Sequence, residues 1–205
     1  PLKMLFKDEV RQLGRELGLP DEAALRGRGV AYCAACDGMM YKDKTVVVAG
    51  GGNSAVADAL LLAKLCKKVY LVHRRDTLRA SRVYLEPLKS SGVEFIWNSR
   101  VAGLVHEKKL TGVELEDVRT GERRTLACEG LFVAIGRVPD TGLLRGQVEL
   151  DAQGYVKADE TTRTSLPGVF AVGDVRTKPL RQIVTAAADG AVASKYIEDF
   201  LAQME

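Results

Sequence analysis

Two cysteines two residues apart, Cys33 and Cys36 in AYCAACDG, precede the apolar run at residues 45–49, which ends in three glycines. A CxxC pair can clip a metal, staple a fold or carry electrons. A tetrahedral zinc site normally recruits a second CxxC or a paired histidine motif. Of the four cysteines, Cys66 and Cys128 stand alone, and the two histidines, His73 and His106, lie far apart, so no metal is expected. Disulfide frameworks belong to small secreted domains, and this chain is too large and too poor in cysteine to need one. The pair therefore reads as a redox dithiol, whose thiolate pKa, about 8.5 when free, falls to roughly 3.5–7.5 in such motifs. Asp37 follows directly. It can serve as proton donor or acceptor, or cap the turn at Gly38, and the residues alone leave both open.

The glycines supply a second chemistry. Gly50, Gly52 and Ala55 satisfy G-x-G-x-x-A directly after an apolar strand and ahead of a helix that takes in Asn53 and Ser54. In that context the glycines permit a tight turn and close approach of a pyrophosphate to the free amides of a helix N-terminus. An NAD-preferring site would place Asp or Glu at the end of the next strand, to bind the ribose 2′-hydroxyl. Here the strand at 68–72 runs into His73, Arg74 and Arg75, with Arg79 one turn on. Guanidinium groups suit a 2′-phosphate, so NADPH is expected. Ile135 and Gly136, closing a later apolar strand at 130–136, join the candidate cofactor-binding residues.

Positioning these groups requires a regular scaffold. Residues 44–75 read as strand, glycine turn, helix and strand, a βαβ unit. From Val93 onward short strands alternate with turns, and a β-meander or hairpin is expected through Cys128. The run 168–173 reads as a strand closed by Gly173 and Asp174. Residues 181–203 read as an alanine-rich helix with Ile183, Ala187, Ala191, Ser194 and Ile197 along one face. At the start, apolar residues at helical spacing over 2–17 read as an amphipathic helix, and 21–29 as a polar connector. The whole chain of 205 residues is 46% hydrophobic, with 30 basic against 27 acidic residues. No basic block tracks a nucleic-acid backbone, and no run reaches the roughly eighteen apolar residues of a membrane span. Neither nucleic acid nor membrane is expected, and a cytoplasmic location follows.

Five motifs, in order, resemble the low-molecular-weight thioredoxin reductases of bacteria: RGRGVAYCAACDG, GGGNSAVADAL, HRRDTLRAS, GLFVAIGRVPDT and LPGVFAVGDVRTKPLRQIVTAAADGAVAS. The resemblance runs from about Leu17 to the C-terminus. It implies a homodimeric flavoenzyme that passes electrons from NADPH through FAD to a Cys33–Cys36 disulfide and on to thioredoxin. Carried over, Cys36 faces the flavin, Cys33 attacks the partner disulfide and Asp37 is the acid. Gly173 and Asp174 bind the FAD ribitol or phosphate region, with Arg181, Gln182 and the start of the last helix near its ring. The reductase components of peroxide-reducing systems share these motifs. A non-catalytic NADPH-binding or dimerisation module is the alternative of another class.

The implied fold is α/β: a Rossmann-like NADPH-binding domain with CxxC over 28–140, and the C-terminal part of an FAD-binding domain over 141–205. Residues 1–27 form an N-terminal helix and connector. In the family an FAD-binding βαβ unit precedes the CxxC domain, and nothing in this sequence plays that part. Residues 1–20 instead resemble a stretch of the ATP-pyrophosphatase region of GMP synthetases. The chain alone is therefore expected to hold FAD poorly and to turn over little thioredoxin.

Overall fold

The computed structural model describes residues 17–203, so the expected N-terminal helix and most of the GMP synthetase-like stretch lie outside the described residues. These divide into two units, 17–137 and 138–203.

In the first unit the β-rich sequence builds a five-stranded parallel sheet, ordered β1 (Val30–Ala31), β8 (Gly130–Ala134), β2 (Thr45–Gly50), β3 (Lys68–Val72), β4 (Glu94–Ile96). Helix α1 (Ala34–Asp37) follows β1, α2 (Asn53–Ala63) joins β2 to β3, and α3 (Arg82–Lys89) joins β3 to β4. A three-stranded antiparallel sheet, β5 (Ser99–His106), β6 (Leu110–Asp117) and β7 (Arg123–Ala127), leads back to β8.

Alternation along β2 explains the layers, because successive side chains point to opposite faces of a sheet. Val46 and Val48 join Leu71 and Phe132 in a core with Ala55, Val56, Ala59 and Leu62 of α2. Val47 and Ala49 turn the other way, into a second core with Leu110, Val113 and Leu115 of β6. A strand apolar on every residue is thus covered by helices on one face and by the antiparallel sheet on the other. The supposed connector is also packed. Leu25 is buried in the second core, and the buried Glu22 carboxylate accepts from the amides of Leu17, Gly18 and Leu19 and from the Tyr32 hydroxyl.

The βαβ unit stands where the sequence places it. The strand at 94–96 does not belong to the meander: it pairs in parallel with β3, Tyr70 opposite Glu94, and short strands carry no periodicity that separates the two pairings. Helix α3 was not expected, since Pro87 lies inside it.

The second unit has a smaller apolar core around Val148, Val156 and Ala171 and one long helix, α4 (Ile183–Ala202). The run 168–173 is not a strand. Only an isolated bridge forms, Arg163 with Phe170, followed by a single 3-10 turn at Gly173–Val175. Helix α4 then begins at Ile183, within two residues of the expected start at 181. Its buried face is not the one its apolar residues share. Asp189 and Ala193 are the buried residues of α4, whereas Ile183, Ala187, Ala191 and Ser194 are exposed. The reason is polar. Asp189 accepts from the Gly173 amide and Arg176 Nη1, both at 2.8 Å, and from Lys178 Nζ. This buried network sets the rotation of the helix where apolar periodicity would have set another.

Among the described residues, no helix is long and apolar enough to cross a membrane.

Candidate dinucleotide cleft and redox pair

Ligands of open parallel sheets sit beyond the carboxyl ends of the strands. At that edge lie the ends of β2, β3 and β8 and, two strands from β2, the end of β1. Adjacent strands lie about 4.8 Å apart, so the β1 and β2 termini are separated by about 10 Å along the sheet.

Beyond β2 the chain turns through the glycines and enters α2, whose N-cap is Gly52. A Cβ on Gly50 would sit 2.5 Å from the Ala134 carbonyl oxygen and 2.7 Å from Ala55 Cβ, so helix and strand meet too closely for any side chain there. A Cβ on Gly51 would overlap the His73 ring, whereas one on Gly52 would meet nothing within 4 Å. The turn is closed beneath and open above, and it forms a cradle over the N-terminus of α2.

The cradle opens into a cleft of about 790 Å³ lined by Gly50, Gly52, Asn53, Ser54, His73, Arg74, Arg79, Ile135 and Gly136 of the expected residues. Ala55 lies beneath it in the core, and Arg75 does not line it. The basic loop is tied down by the fingerprint itself. Arg79 N donates to Gly51 O at 2.8 Å, and Ser81 N to Asn53 Oδ1 at 2.8 Å. Arg100 and Arg123, both bound to Glu116, also line the cleft. Sequence reasoning missed them because they arrive from the antiparallel sheet. There β5 pairing jumps from Val101–Leu115 to Gly103–Glu114, leaving out Ala102, another lining residue. Such bulges are common beside binding sites.

His73, 6% exposed, has its pKa lowered by burial and by the guanidinium groups of Arg74, Arg79 and Arg75. Its Nε2 is buried without a hydrogen-bond partner. An orphaned polar atom beside an open glycine cradle and two exposed guanidinium groups fits an anionic dinucleotide. The first carboxylate in the chain after β3, Asp76, pairs with Arg119.

Cys33 and Cys36 form a disulfide with Cα atoms 5.3 Å apart, ordinary for such a bond. Cys33 is the N-cap of α1, its sulfur accepting from the Cys36 amide at 3.2 Å; Cys36 is exposed and Cys33 half-buried. Asp37, at the end of α1, is half-buried and raises the pKa of Tyr41 together with burial, the larger cause. The pair does not line the cleft. Burial pushes the other two thiols up, Cys66 to about 11 and Cys128 to about 12. No group of three or more metal-ligating side chains exists among the described residues.

In the second unit Gly173, Asp174, Arg181 and Gln182 gather near the N-terminal end of α4. Gly173 has φ 73°, a left-handed conformation that favours glycine. Arg181 Nε donates to Asp174 O, and its guanidinium lies 3.8 Å from the centroid of the Tyr155 ring. Gln182 caps α4 in a capping box with Thr185.

A family model described as pyridine nucleotide-disulphide oxidoreductase matches residues 13–190. Thioredoxin reductase of Streptomyces clavuligerus is 49% identical over 192 residues, 93% of this chain and 60% of the relative. That of Treponema pallidum is 47% identical over 88% of this chain and 59% of its own length. Among solved structures, thioredoxin reductase from Streptococcus pyogenes MGAS5005 is 41% identical, with a TM-score of 0.86 over 93% of this chain and 63% of that one. The chain thus spans about 60% of the length of the curated relatives it matches. A glycine cradle on a parallel sheet, a CxxC disulfide at the same edge and a family match over most of its length agree: the chain belongs to the pyridine nucleotide-disulphide oxidoreductases.

Proposed function

We propose that this chain carries the NADPH-binding and dithiol chemistry of a thioredoxin-disulfide reductase. One observation carries the reading: an accessible CxxC disulfide follows the strand two places from the strand that ends in the dinucleotide cradle.

Gly50, Gly52 and the α2 amides at Asn53 and Ser54 would hold the pyrophosphate of NADPH, with Arg74 and Arg79 on its 2′-phosphate and His73 Nε2 as a further polar contact. Gly173, Asp174, Arg181 and Gln182 would contact FAD. When bound, NADPH would supply two electrons as hydride, and FAD would pass them to the disulfide. The chain's own residues do the rest. On taking up two electrons and two protons the Cys33–Cys36 bond opens to two thiols, with Asp37 delivering or removing a proton. The Cys33 thiolate then attacks one sulfur of the thioredoxin disulfide, forming a mixed disulfide and releasing one thioredoxin thiolate. The Cys36 thiolate attacks Cys33 Sγ, re-forming the pair and releasing the second thioredoxin thiol. Met39 and Met40, 67% and 59% exposed directly after α1, give a protein substrate an apolar surface to rest on.

Two thiols kept outside any disulfide suit the cytoplasm. The exposed apolar residues Leu143, Ile183 and Val184 suit a homodimer, in which a second copy covers them.

The test needs no flavin. The chain is reduced with dithiothreitol, freed of it and mixed with oxidised thioredoxin. Two thiols should appear on thioredoxin for every two lost from the chain, and none from Cys33→Ser. No transfer, or a stoichiometric zinc ion released by acid, overturns the reading.

A further inference from the structure

Arg100, Glu116 and Arg123 stand opposite one another across three strands, Arg100 of β5 paired with Glu116 of β6 and Glu116 with Arg123 of β7. Residues so paired share a face of the sheet, and both arginines of this row line the dinucleotide cleft. Arg100 donates from Nε and Nη2 to Glu116 Oε1, at 3.0 and 2.7 Å, and Arg123 donates from Nη2 to Oε2 at 3.0 Å. The carboxylate is mostly covered, whereas the two arginine side chains are 59% and 61% exposed. The Arg100 hydrogen bond, seconded by Arg123, holds the Glu116 carboxyl below its usual range, so the clamp stays charged at neutral pH. It uses the Nε edge of the Arg100 guanidinium and sets its charge against a carboxylate, which makes Arg100 a poor fork for a second anion. The planar face is not used, and such a face stacks on flat rings.

The position of Arg100 says which ring that is. Strand β5 starts beside the end of β3: the Ser99 amide donates to the His73 carbonyl at 3.1 Å, and Arg100 comes next. Arg74 and Arg79, the residues for the 2′-phosphate, follow the same strand and line the cleft with it. A 2′-phosphate sits on the ribose that carries adenine, so the base lies one sugar away from them. Ile135 follows β8, on the other side of β2 from β3, where the nicotinamide half extends. Among the described residues that line the cleft there is no Phe, Tyr or Trp to take the base.

We propose that Arg100, clamped along one edge by Glu116, stacks its guanidinium face on the adenine of the dinucleotide and binds that base, not the 2′-phosphate. This rests on reading the cleft as a dinucleotide site.

The experiment measures binding of NADPH, NADH and ADP to the full chain by calorimetry. All three carry adenine, and only NADPH carries the 2′-phosphate. Arg100→Ala should weaken each of them about fivefold. Arg100→Lys keeps the charge but loses the plane, and should bind as weakly as the alanine variant. The side chain is exposed and Glu116 keeps Arg123 as its partner, so both variants should fold. A loss confined to NADPH would put Arg100 on the 2′-phosphate and overturn the proposal. An Arg100→Lys chain as tight as wild type would make the contact one of charge and overturn it too, as would an Arg100→Ala chain with no loss at all. A wild-type chain that binds none of the three nucleotides would instead sink the dinucleotide reading itself.

Discussion

The two units are held by different forces. Residues 17–137 bury a continuous apolar interior on both faces of a parallel sheet, with Val46, Val47, Val48, Leu131 and Phe132 fully enclosed. Residues 138–203 have a small apolar core and close around a carboxylate instead, with Asp189 taking Gly173, Arg176 and Lys178 at once. Apolar packing is non-directional and tolerates small adjustments, whereas a buried charge network depends on every partner. Their titrating groups differ in sign as well. Asp58 in the first unit is raised and Asp189 in the second is lowered.

The largest effect should come from the second unit. Asp189→Ala leaves the buried Arg176 with only the exposed Glu160, 3.9 Å away, as counter-charge, a loss of about 3 kcal/mol. Hydrogen-exchange protection across 138–203 should collapse while NADPH binding by the first unit persists. Equal loss in both units would show that they do not stand apart energetically.

The next effect lies in the first unit and depends on pH. Asp58 has a folded pKa of about 6 against 3.8 for a free aspartate. Its contribution to stability is fully present below the free value and is lost as pH rises through about 6. Asp58→Asn should therefore stabilise this unit at pH 7.5 by up to about 3 kcal/mol and change nothing at pH 3.5. Thermal melts at the two pH values read the difference. For Asp189 burial opposes ionisation, but Lys178, the Gly173 amide and Arg176 outweigh it and hold the carboxyl below its usual range. Its contribution is present above the free value of 3.8 and is lost as pH falls through the folded one. Acid should accordingly loosen the second unit first.

A smaller effect concerns the cleft. Arg74→Ala and Arg79→Ala should each weaken NADPH binding about tenfold, the worth of one charge-assisted hydrogen bond, and leave NADH unchanged. Fluorescence titration of both nucleotides measures it, and equal losses for the two would remove the arginines from the 2′-phosphate. Smallest of all, Thr185→Ala deletes half of the α4 capping box and should cost about 1 kcal/mol, confined to the second unit.

The same contrast governs what could be read from sequence. Val46 to Ala49, the glycine turn and α2 were legible because pattern, turn chemistry and ligand geometry all demand the same residues. Asn53 was legible as part of the fingerprint, but its bond to Ser81 was not. Arg100 and Arg123 reach the cleft through long-range sheet pairing, which leaves no local signature. The buried face of α4 was not legible because hydropathy ranks Asp189 as a surface residue, and only its partners at 173, 176 and 178 make its burial tolerable. Strand β4 was assigned to the wrong sheet because three residues cannot declare their neighbours.

The two thiols outside the disulfide, Cys66 half-buried and Cys128 buried, carry a consequence for following the Cys33–Cys36 bond. With Cys66 and Cys128 pushed to about 11 and 12, both lie well above the free thiol value of about 8.5, and little of either is thiolate at neutral pH. A maleimide pulse of seconds should therefore favour the Cys33–Cys36 pair once its disulfide is open. The unmodified chain is its own reporter, and a mass shift of one or two adducts records the instant at which Cys33 and Cys36 part.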